Sequence, residues 1–146
     1  MPLAANESLD HQQIAERLPH SGRMCLLQKI VPADQASLTA LADSHLLADN
    51  PLRINDRIAS VNGIEYAAQA MAVHGALLAE TVKPGYIATV RNIEIKQSFL
   101  PENEQPLIIY VQQLMSDENG FTYQFAIHCD EEIIISGRIT VFLIPE

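Results

Sequence analysis

Residues 62–80, NGIEYAAQAMAVHGALLAE, constrain this chain more than any other stretch. At helical spacing Ile64, Ala67, Ala68, Met71, Ala72, Gly75 and Ala79 fall on one face, all small or apolar. The opposite side is scarcely wetter, with Tyr66, Ala70, Val73, Ala76 and Leu77. A helix that is apolar nearly all round has no face to give to water, so the rest of the chain must wrap it. Two polar residues interrupt the run early. Glu65 and Gln69 are four apart and are predicted to share a face near the helix N-terminus. The positive end of the helix dipole lies there, and burial disfavours the charged form of a carboxyl. The expectation is a poised acid or base on a buried helix.

The flanking sequence supplies the wrapping. Residues 1–9 read as a loose arm. Asp10 to Leu18 reads as a short helix with Asp10 as N-cap and with Ile14 and Leu18 facing inward. Pro19 ends it. His20, Ser21 and Gly22 form a turn, Met24–Val31 a strand and Ala36–Ala42 a second strand. Asp43–Ser60 has no clean period and reads as a long functional loop leading into the central helix. Asn62 is the expected N-cap of that helix, with Ser60 able to serve. The helix should end near Thr81–Lys83, before Pro84 and Gly85. Beyond it the period switches to two. Tyr86–Ser98, Leu107–Met115, Phe121–Cys129 and Ile133–Ile144 read as strands, and SDENG at 116–120 as a hairpin turn. This order predicts one α+β domain over 1–146, a strongly twisted antiparallel sheet wrapped round one helix.

Composition removes several classes of function. The 146 residues are 48% hydrophobic and carry a formal net charge of -9, which argues against nucleic acid as a partner. No apolar run approaches the roughly 20 residues that span a bilayer. MPLAANESLDHQQ lacks the basic and apolar regions of a signal peptide, so the expected location is the cytoplasm. Cys25 and Cys129 are far apart in apolar runs and read as buried free thiols. No spacing of His, Cys and Asp suits a metal, and there is no GxSxG, P-loop or GxGxxG.

Three stretches carry a resemblance. LPHSGRMCLLQKIV resembles the N-terminal LPHR segment of the hotdog-fold 3-hydroxyacyl-acyl carrier protein dehydratases. GIEYAAQAMAVHGALL is similar to that family's central helix with its EAMAQ signature, Glu65 and Gln69 falling on its acid and glutamine. GYIATVRNIEIKQSFLPEN is similar to its following strand and turn. The pairing of LPHSGRM with GIEYAAQA looks closest to the dehydratase-like proteins of aryl polyene biosynthesis. The resemblance implies a hotdog fold and removal of water from a 3-hydroxyacyl thioester carried on the phosphopantetheine of acyl carrier protein, with no other cofactor. It implies a homodimer or a heterodimer with another hotdog dehydratase, paired through the long strand from Tyr86.

Dehydration needs a base for the α-proton and an acid for the departing hydroxyl. Glu65 is the expected acid, and Gln69 would orient it or the leaving water. Free amides at Asn62, Gly63 and Ile64 could polarise the thioester carbonyl as an oxyanion hole. His20 and Arg91 complete the expected substrate-binding residues. Arg23, Arg53, Arg57, Arg91 and Lys96 could form a basic patch for an acidic carrier. The family's catalytic histidine stands in a GHFPG loop just before the helix, and that motif is missing here. His45, twenty residues before Glu65, is the only histidine in the loop. The base is therefore His45 or a histidine of a partner chain. His74 reads as a satisfied core residue and His128 as a strand residue. Two alternatives stand beside the dehydratase: a non-catalytic hotdog subunit that stabilises an active one, and a hotdog thioesterase.

Overall fold

The central helix, α2, spans Gly63–Ala79, and Tyr66, Ala67, Ala70, Met71 and Val73 are fully buried along it. The computed structural model describes residues 8–18, 24–79 and 85–144. Before α2 come a short helix α1 (His11–Ala15) and strands β1 (Lys29–Ala33) and β2 (Ser37–Ala42). After it come β3 (Gly85–Ile95), β4 (Leu107–Asp117), β5 (Gly120–Cys129) and β6 (Glu132–Leu143). The strands form one antiparallel sheet in the order β1-β2-β4-β5-β6-β3. The first strand after the helix thus crosses to the far edge, beside the last.

Strand alternation decides which face meets the helix. Leu38 and Ala40 of β2 stand opposite Val111 and Ile109 of β4, which stand opposite Phe125 and Ile127 of β5. Ile127 in turn pairs with Ile135 of β6. These residues are buried and close over α2. Ile127 and Ile135 come so near its first turn that a Cβ on Gly63 would lie 2.9 Å from a methyl of each. The outer face carries Thr122, Gln124 and His128, with Thr122 and Thr140 hydroxyls 2.8 Å apart, as the period of two predicts.

Turn chemistry supports the ladder. Asp117 accepts hydrogen bonds from the amides of Asn119 (2.8 Å) and Gly120 (3.1 Å), which closes the β4–β5 hairpin predicted at SDENG. Asp130 and Glu131 both take positive φ between β5 and β6, the backbone of a tight two-residue hairpin turn. In β3, Asn92 at φ 54° makes a bulge between Arg91 and Glu94. Ile93 then folds over Gly137, where a Cβ would come within 2.3 Å of its side chain. β3 is an edge strand exposed along most of its length, and among the described residues no strand pairs with its outer row of backbone donors and acceptors.

Three expectations change. Leu9 at the end of the supposed loose arm is buried and bridges Ile30, with N···O distances of 3.0 and 2.9 Å. Residues 1–7 and the turn holding His20 lie outside the described residues. The strand expected from Met24 begins only at Lys29, because the backbone of 24–28 is held by side chains and by β2 instead. Among the described residues neither Asn62 nor Ser60 caps α2 with its side chain. A 3-10 turn at Ser60–Asn62 feeds straight into the helix.

Candidate active site

α2 presents one stripe that the sheet leaves half open. Glu65, Ala68, Ala72 and Gly75 recur along it at the three- and four-residue spacing of a helix face. Small side chains there leave a groove of about 500 Å³. Its other walls are Gly85, Tyr86 and Ile87 of β3, Val141 and Leu143 of β6, Phe121 of β5, and Gln113, Ser116 and Asp117 of β4. Glu65 stands at one end, in the first turn of α2, and the β4–β5 hairpin stands at the other. The Glu65 side chain is half-buried, not enclosed as the apolar helix led us to expect. Among the described residues it has no hydrogen-bond or ion-pair partner.

Gln69 does not join Glu65. It is fully buried and turns toward the segment before β1. Its Oε1 accepts from the Leu26 amide at 2.9 Å, and its Nε2 donates to the Met24 carbonyl. Both ends of the amide are spent on one stretch of extended backbone. Four residues along a helix turn through about 400°, so Glu65 and Gln69 point some 40° apart. In this fold that angle separates the groove from the core.

The helix N-terminus is also partly committed. The Asn62 amide donates to the Ala59 carbonyl at 3.0 Å, and the Gly63 amide donates into the same 3-10 turn. These two expected oxyanion donors are therefore occupied. Arg91 lies on exposed β3, opposite Arg138 of β6, and does not line the groove.

His45 is brought nowhere near that groove. It is 1% exposed in the 3-10 turn Ser44–Leu46, and neither ring nitrogen has a hydrogen-bond partner among the described residues. Arg53, expected in a basic patch, instead clamps this loop. It donates to the carbonyls of Leu47, Asp56 and His45 and lies 2.7 Å from the Glu102 carboxylate. Arg57 stacks on the Phe99 ring at 3.9 Å. Lys96 pairs with Glu94 on the surface at 3.7 Å.

Two polar clusters were invisible to sequence spacing. The hydroxyl of buried Tyr66 meets Ser44 Oγ at 2.9 Å and Asn50 Nδ2 at 3.2 Å, which ties the loop to the helix. His74, read correctly as a satisfied core residue, bonds the Tyr123 hydroxyl through Nδ1 and the Asp34 carbonyl through Nε2, the latter at 2.8 Å. Gln113 Nε2 reaches the same Tyr123 hydroxyl at 3.1 Å. Only the β4–β5 register brings Gln113 and Tyr123 together.

Burial sets the protonation of both core histidines. Desolvation lowers the pKa of His45 and of His74 below the ordinary 6.5, although Asp43 opposes the shift at His45 and Asp34 at His74. The unfolded chain binds these protons near the ordinary value, and the folded chain only at lower pH. Between the two the unfolded state holds more protons, so stability falls as pH falls. Stability should be level above about pH 7 and fall toward pH 5, by up to about 1.4 kcal/mol per pH unit for each histidine, and Tm should fall with it. A thermal melt series checks this, and His74→Gln should flatten the drop. A Tm that rises toward pH 5 would contradict it.

A family model described as ApeP dehydratase, of the ApeP-like family, matches residues 12–146. The chain is similar in structure to the dehydratase heterocomplex ApeI:P from Xenorhabdus doucetiae, with TM-score 0.81 and 18% identity over 94% of this chain and 93% of that one. It is also similar to a mutant thioesterase from Pseudomonas aeruginosa, with TM-score 0.68 and 14% identity over 97% and 99%. A third likeness is to a sigma28-regulated virulence protein from Campylobacter jejuni, with TM-score 0.63 and 14% identity over 94% and 92%. No curated protein matches the sequence. At these identities the structural likenesses speak for the fold, which is the hotdog arrangement of a helix wrapped by an antiparallel sheet.

Proposed function

The chain belongs to the ApeP-like dehydratase family, and on that premise we propose that it removes water from 3-hydroxyacyl thioesters carried on acyl carrier protein. Function of the dehydratase type follows from the family, and the substrate and residue roles are our reading. One observation carries it. Glu65 is unpaired among the described residues and stands at the end of a groove of about 500 Å³, walled mostly by small and apolar side chains. Such a groove suits an acyl chain, and a carboxyl at its mouth suits the carbon that loses hydroxide.

In the reaction a base takes the proton from C2, the C2–C3 double bond forms, and the C3–O bond breaks. Glu65 gives its proton to the departing oxygen, which leaves as water. The product is a trans-2-enoyl thioester, and the proton held by the base returns to Glu65 through solvent. Among the described residues no histidine lines the groove with Glu65. His45 is sealed away, and His74 is committed to Tyr123 and Asp34. We assign the base to a histidine of a second hotdog subunit, paired along the outer edge of β3. A heterodimer fits this division best, since each chain would then bring half of the site. The absence of a described groove histidine equally favours one other reading, a thioesterase in which Glu65 activates water.

Mass spectrometry of a 3-hydroxyacyl carrier protein distinguishes these readings. Loss of one water is expected when this chain and a partner dehydratase subunit are both present. Release of free acid would instead identify a thioesterase. Unchanged turnover by the partner with or without this chain would leave it a subunit outside the chemistry.

A further inference from the structure

Behind the far end of the groove lies a buried polar cluster that dehydration does not use, and Gln113 is its member that lines the groove. His74 Nε2 lies 2.8 Å from the Asp34 carbonyl oxygen, which can only accept, so Nε2 carries the ring hydrogen. In the neutral ring Nδ1 is then a bare acceptor, and the Tyr123 hydroxyl spends its only hydrogen on it. The amide atom of Gln113 that lies 3.1 Å from the same hydroxyl must therefore be a donor, its NH₂. Each bond fixes the direction of the next. The chain of bonds leaves Gln113 Oε1 as an acceptor with no donor among the described residues. Gln113 is half-buried and lines the groove.

The surroundings narrow what this oxygen can meet. His74 is nine residues past Glu65, about 13 Å along the helix axis. The polar cluster is thus well away from the acid. Asp117 and Glu118, exposed where β4 enters the hairpin, line the same groove beyond Gln113, so an anionic tail would meet like charge at that end. A methyl end would strip water from the Gln113 carbonyl and give it no partner, which costs more than a hydrogen bond gains. A hydroxyl satisfies it, and Tyr123 holds the amide in place beforehand, so little order is lost on binding.

We propose that Gln113 is the specificity-determining residue of the groove, and that its carbonyl oxygen selects an acyl chain bearing a hydroxyl group at the end of the groove away from Glu65. This rests on the acyl-groove reading above, and the test separates the two. The probes are three S-alkyl pantetheine thioethers of equal length, ending in methyl, hydroxyl or carboxylate, titrated calorimetrically into the full chain in the assembly in which it purifies. The hydroxyl compound should bind roughly tenfold more tightly than the methyl compound, and the carboxylate more weakly than both. Gln113→Leu should close the gap from both sides, weakening the first and tightening the second.

Equal binding of the hydroxyl and methyl compounds by the unaltered protein would overturn the proposal, and this needs no variant that must fold. So would a hydroxyl preference that survives Gln113→Leu. If either result came with water loss that Glu65→Gln still abolishes, the dehydratase reading would stand and only the role of Gln113 would fall. Failure of all three compounds to bind would overturn the groove reading and this proposal together.

Discussion

Replacing Glu65 by glutamine should lower the rate of water loss by about 10²- to 10⁴-fold, the range that a positioned acid contributes. Tm should stay within about 2 °C of the parent. The two expectations have separate causes. Glutamine keeps the shape and polarity of the side chain but has no proton to give to a departing hydroxide. The side chain is half-buried and has no partner among the described residues, so no network collapses with it. Changes at such positions usually stay within about 0.5 kcal/mol. Carrier-bound substrate assayed with the partner subunit present gives the rate, and a thermal melt gives the stability. Activity within a few-fold of the parent would remove Glu65 from the chemistry. A collapse of Tm would make the loss of activity structural.

Gln69→Met should have the opposite profile, with Tm down by roughly 10 °C and about 2–4 kcal/mol of stability lost. Methionine fills much the same volume, so the cavity term is small. The loss comes from the two backbone groups the amide served. The Leu26 amide and the Met24 carbonyl would be left without the Gln69 partner that now serves each, in a segment where Leu26 and Leu27 are almost fully enclosed. An orphaned group in such a place costs about 1–3 kcal/mol. Retention of Tm with a fall in turnover would return Gln69 to the role beside Glu65 that its spacing suggested.

Much of the architecture is written in local pattern. The change from a 3.6 to a 2.0 period near Gly85 separates helix from sheet, and SDENG sets a hairpin whose turn is the observed one. Asp10 and Gln13 form the reciprocal cap that starts α1. Local pattern fails where a distant side chain supplies the hydrogen bonds. Met24 to Gln28 reads as the apolar start of a strand, yet Gln69 takes its bonds from a helix more than forty residues away. Register shows the same limit. A straight ladder from the Asp117–Gly120 turn would set Gln113 opposite Gln124. A bulge between Gln113 and Met115 moves it opposite Tyr123 and so joins it to the polar cluster behind the groove.

The sequence by itself determined that a helix with no face for water would be wrapped by an antiparallel sheet, and that Glu65 would sit in its first turn. Apolar periodicity and turn residues act over a few positions, so they can be read without coordinates. Only the tertiary structure decided which polar residues meet. It sent Glu65 to the groove and Gln69 to the core, closed His45 away from both, and joined His74, Tyr123 and Gln113 into one directed chain. Each of those outcomes depends on how far one element is rotated or shifted against another. A turn of some 40° about a helix axis, or a slip of one residue in a strand, separates a groove-facing side chain from a buried one.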